Sequence, residues 1–148
     1  DKVKGQKGVL SVEKKLFVET NNGTNCQIRP VTPEQPLRIG DKVIVRLTIR
    51  TDREMNYVFL KDLRAGCFEP ADQLSGPESR DGIWYYRSPK DVSENFFINR
   101  LPEGTFVLEY PVYVSRSGEY AGGISTIQCM YAPEFVSHTA GESLRIMP

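Results

Sequence analysis

Apolar and polar residues alternate along most of this chain, with the two-residue period of a strand that rests one face on a core. The clearest run lies between Gly104 and Val114, where Phe106, Leu108, Tyr110, Val112 and Val114 share one side. Pro102 and Gly104 turn the chain into it, one by fixing φ and the other by tolerating φ > 0. Ser115-Arg-Ser-Gly118 turns it out again, and a second apolar segment runs from Tyr120 to Met130. The two segments predict a long antiparallel hairpin that ends in the corner Tyr131-Ala132-Pro133-Glu134. A second clear alternation sets Val43, Val45, Leu47 and Ile49 against Arg46, Thr48 and Arg50. Thr51-Asp52-Arg53 ends that strand and Tyr57-Val-Phe-Leu60 starts the next, expected as its neighbour.

The remaining strands are shorter or less regular. Val9 to Val18 alternates loosely, with Val12, Leu16 and Val18 against Glu13 and Lys15. Its Asn21-Asn22-Gly23-Thr24 exit contains the Asn-Gly step of a tight hairpin, and Cys26 to Pro30 is the expected return strand. Asn22-Gly23-Thr24 also matches a glycosylation acceptor, although the turn accounts for the same residues. Glu94 to Ile98 restarts a strand, and Glu142 to Met147 reads as a final one. Between them, residues 68–95 lose the pattern among prolines, glycines and acids, and are expected to form one long loop. About eight to nine short strands without a trustworthy helical stripe predict an all-β protein, an antiparallel, Ig-like β-sandwich.

Length and charge narrow the reading. The 148 residues suit a single domain, 1–148. Charged residues make up 26% and cancel to a formal net charge of zero, which argues against nucleic acid as a partner. No stretch is apolar enough for a membrane-spanning helix, and the polar start, Asp1 to Gly8, has no leader-like apolar region. The absence of an initiating Met is expected of a fragment of a longer chain. Cys26, Cys67 and Cys129 have neither metal-binding nor Cys-x-x-Cys spacing. They are read as buried thiols, with a Cys67–Cys129 or Cys26–Cys129 bridge as the alternative.

Candidate chemistry is sparse. His138 is the single histidine, so no two-histidine catalytic or metal arrangement can form, and it is read as an edge residue. Gly122-Gly-Ile-Ser125 is not a nucleophile elbow, and Gly5-Gln-Lys-Gly8 lacks the Gly-Lys-Ser/Thr ending of a phosphate loop. Glu69, Asp72, Glu78 and Asp81 sit among prolines and read as solvated acids too sparse for calcium. No enzyme, cofactor, metal or small-molecule substrate is expected. Trp84, Tyr85 and Tyr86, adjacent in the long loop, are candidates for binding a sugar or a protein, or else form a short strand pinning the loop to the core. Gly118-Glu-Tyr120 is similar to the tyrosine corner of Ig-like sandwiches, which gives Tyr120 a structural duty.

Several motifs together carry a family resemblance. Gly40-Asp41 opens a strand that runs to Asp52-Arg53. Ala65-Gly-Cys-Phe-Glu-Pro70 makes a corner, Leu101-Pro-Glu-Gly104 leads into a Tyr-rich segment, and Met130-Tyr-Ala-Pro-Glu134 closes the series. From about Leu37 onward the chain resembles the C-terminal macroglobulin-like domain of bacterial alpha-2-macroglobulins. The resemblance implies a macroglobulin-like sandwich within a larger protease-trapping protein, periplasmic, cell-surface or secreted, and lipid-anchored through its parent. It implies partnership with other domains of that chain, above all a thioester domain, and through the parent with target proteases. It also implies that Met130 and Tyr131 shield the thioester from water; packing within the sandwich is the alternative for both. No Cys-x-Glu-Gln thioester motif occurs in these 148 residues. A free-standing adhesin or carbohydrate-binding sandwich, using Trp84, Tyr85 and Tyr86, is the competing functional reading.

Overall fold

The computed structural model describes residues 10–23, 25–32, 34–71, 76–80, 82–90, 92–139, 141 and 143–148, all in strands, turns and connections. The strands in chain order begin with β1 (Leu10–Asn22), β2 (Asn25–Pro30), β3 (Leu37–Arg38), β4 (Lys42–Thr51) and β5 (Met55–Leu63). There follow β6 (Phe68–Pro70), β7 (Gly76–Arg80), β8 (Ile83–Pro89), β9 (Ser93–Leu101) and β10 (Gly104–Val114). The last are β11 (Gly118–Ala121), β12 (Ser125–Cys129), β13 (Val136–His138) and β14 (Ser143–Met147).

Two sheets hold most of them, in the orders β2-β1-β4-β10-β6 and β13-β12-β5-β9-β8-β7. A small third sheet, β11-β14-β3, includes a parallel pairing of β14 with β3. The inward faces follow the alternation. Val43, Val45, Leu47 and Ile49 of β4 lie beside Leu108, Tyr110 and Val112 of β10, with Leu47 opposite Leu108 and Val45 opposite Tyr110. Val58 and Leu60 of β5, Phe96 and Ile98 of β9 and Ile127 of β12 meet them from the other sheet. Each of these aliphatic side chains, fully buried, contributes about 1.5–3 kcal/mol relative to exposure. The fold is the all-β antiparallel sandwich that the pattern predicts.

Three expectations about connectivity are corrected. The hairpin between the segments from Gly104 and from Tyr120 does not form, because β10 pairs with β4 and β6 while β12 pairs with β5 and β13 in the opposite sheet. Similarly, β4 and β5 are not neighbours; the Thr51-Asp-Arg turn carries the chain across the sandwich. Two strands that each bear one apolar face bury more surface face to face than side by side, so the chain arches over at these turns. Finally, the expected loop over residues 68–95 is largely strand, namely β6, β7, β8 and the start of β9. Prolines broke its sequence pattern. Pro77 and Pro89 nevertheless sit within or at the end of outlying strands β7 and β8, where proline is tolerated.

Other details match their expectations, with Tyr120 the exception. β1 and β2 form the Asn-Gly hairpin, with Asn22 opposite Asn25 and Gly23 at φ 71°, while Thr24 of the acceptor triplet lies outside the described residues. His138 lies on edge strand β13, opposite Thr126. Tyr120 closes a local corner: its hydroxyl donates to the Ser117 carbonyl at 3.0 Å, within its own turn rather than to a crossing segment. Cys67 and Cys129 are buried free thiols, and the side chain of Cys26 lies outside the described residues.

Candidate functional site

Not every inward position is apolar. Lys14 shares the inward phase of Val12 and Val18 on β1; Asp62 that of Val58 and Leu60 on β5; Glu94 that of Phe96 and Ile98 on β9; and Arg87 that of Ile83 and Tyr85 on β8. Charges placed there need partners, because an unpaired buried charge is very costly. They find one another. Lys14 Nζ donates to Asp62 Oδ1 at 2.7 Å and to the Gly123 carbonyl at 3.2 Å. The Ser125 hydroxyl donates to the same Asp62 oxygen at 2.7 Å, and the Tyr110 hydroxyl donates to Oδ2. Beside them, Glu94 accepts from Arg64 Nη1 at 3.2 Å and from Arg87 Nε at 2.8 Å. Burial, then the negative charges of Asp62 and Glu94, hold the Tyr110 phenol well above its ordinary value, against a smaller opposing pull from Arg64. This network, absent from the sequence reading, spans both sheets and fixes the start of β12 through Ser125.

The other end of β12 holds two of the candidate residues. Its last inward residue is Cys129, after which the chain turns sharply. The Ala132 amide donates to the Cys129 carbonyl at 3.3 Å, Phe135 to Ala132 at 2.9 Å, and Cys129 back to Phe135 at 3.0 Å. Ala132 and Phe135 pack against the core from this turn. The Arg53 guanidinium lies 5.0 Å from the centre of the Phe135 ring. What the corner pushes outward is Met130, 54% exposed, and Tyr131, 80% exposed. The Met130 amide donates to the Tyr57 carbonyl at 2.8 Å, and the Tyr131 ring meets the Tyr57 ring edge to face, 5.0 Å between centres. Packing within the sandwich, the alternative for this pair, is not where the structure places them.

Trp84, Tyr85 and Tyr86 are not three aromatics on a loop. They lie on β8, whose alternation sends Tyr85 into the core at 5% exposure, against Phe96, and leaves Trp84 and Tyr86 outside. A platform of three adjacent rings is therefore ruled out by strand geometry. Tyr86 instead joins a row on the outer face: Gln128, Phe59, Phe97 and Tyr86 stand opposite one another across β12, β5, β9 and β8. Phe59 and Phe97 stack there with centres 4.8 Å apart. The row and the corner share this face of β5, while the network of charges lies on the inner one.

This surface presents apolar and aromatic side chains. No cluster of three or more potential metal-ligating side chains exists among the described residues. A cleft of about 1240 Å³ between β1 and β14 is lined by residues such as Leu16, Phe17, Leu37 and Leu144. It brings no two candidate residues together.

Comparison with known proteins adds to this geometry. The model of the bacterial alpha-2-macroglobulin MG10 domain matches residues 10–134. A crystal structure of a mutant Salmonella alpha-2-macroglobulin superposes with a TM-score of 0.72 at 20% identity, covering 98% of this chain and 10% of that one. Escherichia coli alpha-2-macroglobulin activated by porcine elastase gives 0.73 at 18% identity, covering 97% and 13%. The native Escherichia coli protein from domain MG7 to the C-terminus gives 0.69 at 16%, covering 97% and 25%. At these identities the likeness is one of fold. Among curated proteins, Circularly permutated Ras protein 2 of Dictyostelium discoideum is 28% identical over 109 residues, 74% of this chain and 3% of its own length. The chain thus spans only a small part of the proteins it matches.

Proposed function

The chain belongs to the bacterial alpha-2-macroglobulin MG10 domain family, and we propose that it works as an interdomain module of a larger, extracytoplasmic protease-trapping protein. In this reading it packs on a thioester-bearing domain of the same parent chain, and the Met130–Tyr131 corner covers the thioester. The domain performs no reaction itself. An activated acyl group survives in water only where water is kept from it, and an apolar pair on a rigid turn is suited to that exclusion. The parent's periplasmic or cell-surface location, its lipid anchor and its contact with proteases belong to the same proposal.

The observation that carries the reading is the corner itself. Two large apolar side chains stand 54% and 80% exposed on a turn held by successive main-chain hydrogen bonds and by core contacts of Ala132 and Phe135. Apolar side chains presented from a fixed scaffold suit a partner's surface. The carbohydrate-binding alternative rested on three adjacent loop aromatics and gains nothing from their alternation on β8.

The test is the intact mass of the native full-length parent before and after methylamine. One adduct with a new free thiol is expected. Tyr131→Ala should then speed loss of the thioester in plain water by about ten-fold, equivalent to about 1.4 kcal/mol of barrier. A correctly folded parent that takes up no methylamine, or a Tyr131→Ala protein that keeps its thioester as long as the unaltered one, would refute the shielding role.

A further inference from the structure

Tyr57 is the only non-glycine residue with positive φ among the described residues, at 58°. Left-handed backbone is unfavourable for a bulky aromatic residue and persists where the surrounding structure demands it. Here it interrupts β5. Asn56 pairs with Arg100 and Val58 with Ile98, while the ladder lapses at Tyr57 between them. Met55 and Val58, three positions apart, are both buried, so the strand changes phase across the lapse. The same distortion leaves Tyr57 half exposed on the outside.

Tyr57 meets the Met130–Tyr131 corner in two ways. Its carbonyl accepts the Met130 amide at 2.8 Å, and its ring lies 5.0 Å from that of Tyr131 at an interplanar angle of 79°. A tyrosine as exposed as Tyr131 would otherwise sample several rotamers, and docking would have to order it. An edge-to-face neighbour favours one of them beforehand.

We propose that Tyr57 is a positioning residue, a pedestal whose ring holds Tyr131 in the orientation that covers the thioester. This rests on the shielding role proposed above and names the residue that makes it efficient. A purely structural role for Tyr57, setting the phase of β5, predicts different behaviour on substitution. Glycine adopts φ of 58° without strain, so Tyr57→Gly keeps the phase change and removes only the ring. Asparagine also tolerates this conformation, which makes Tyr57→Asn a second ring deletion. Tyr57→Phe keeps the ring.

The experiment compares these variants of the full-length parent with Tyr131→Ala and the Tyr57→Gly/Tyr131→Ala double variant. Thioester content is followed in plain water by methylamine adduct mass, and thermal midpoints are recorded alongside. Tyr57→Phe should match the unaltered protein. Tyr57→Gly and Tyr57→Asn should lose the thioester faster, within about three-fold of Tyr131→Ala, and the double variant should be no faster than Tyr131→Ala because the two rings act as one unit. The thermal midpoint of Tyr57→Gly should not fall. If Tyr131→Ala speeds the loss and both ring deletions leave it unchanged, the pedestal is overturned and the shielding role stands. Multiplicative rates in the double variant would also overturn it. A Tyr131→Ala protein no faster than the unaltered one would remove the shielding role and the pedestal together.

Discussion

Tyr110 donates its phenolic hydrogen to Asp62 across the interior of the sandwich, from β10 to β5. Removing the hydroxyl by Tyr110→Phe leaves Asp62 with Lys14 and Ser125, and should cost about 1.5–3 kcal/mol, the range for hydrogen bonds to charged groups. The same contact sets a pH dependence. Burial and the nearby carboxylates raise the folded phenol well above its ordinary value of about 10. Below that value both folded and unfolded chains keep the proton, and the contribution is constant. Above it the unfolded chain releases a proton that the folded chain retains, so stability falls as pH rises until the folded phenol itself ionises. Urea midpoints should therefore be lower at about pH 11 than at pH 9, with a slope approaching 1.4 kcal/mol per pH unit, and Tyr110→Phe should flatten the difference. A slope unchanged by Tyr110→Phe would assign the effect to other groups. The inward charges were legible in principle, since Lys14, Asp62, Arg87 and Glu94 each interrupt an apolar phase on their strand. Which partner each would find was not, because the partners lie on other strands, with Lys14 and Asp62 48 positions apart. The left-handed backbone of Tyr57 left no sign at all; tyrosine is an unfavourable residue there, and tertiary contacts overrode the local preference.

For the longer strands outside residues 68–95, the alternation of polarity predicted where each lies and which side faces inward, but, apart from the β1–β2 hairpin, not its neighbour. A two-residue period defines a face, and a face can be buried against another sheet as readily as beside a strand of its own. That is why β4 and β10 were recognised as strands but given wrong partners, whereas β8 was hidden because prolines and glycines around it broke the pattern. One close approach holds β12 in place and has a simple test. Gly123, just before that strand, accepts from Lys14 Nζ through its carbonyl, while Ile124 accepts the Leu63 amide at 3.0 Å. A Cβ at Gly123 would overlap the Leu63 carbonyl, a main-chain group that cannot swing aside. Gly123→Ala should lower stability by about 1–3 kcal/mol or more in urea denaturation, as overpacking does. A variant as stable as the unaltered domain would mean that β12 is free to shift along β5.

The molecule as a whole offers two natural reporters of its integrity. Cys67 and Cys129 are buried, at 0% and 6% exposure, and burial raises the Cys67 thiol further from its reactive form. In a Cys26→Ser background, neither should react with Ellman's reagent at neutral pH except through unfolding, so reaction rates should rise with urea in step with loss of the β signal. Rapid labelling in native buffer would mean that the end of β12, and with it the corner, opens locally. A further consequence follows from how that corner is built. Its turn is held by amides and carbonyls, which are indifferent to the side chains they carry, and its core contacts come from Ala132 and Phe135. Met130 and Tyr131 are therefore almost without constraint from folding. Under the proposed shielding role, positions 130 and 131 would be free to drift in a lineage that had lost the partner, while Asp62, Gly123 and Tyr110 would still be needed for the sandwich alone. The pattern of substitution at these two sites would record the history of the interface, independently of the history of the fold.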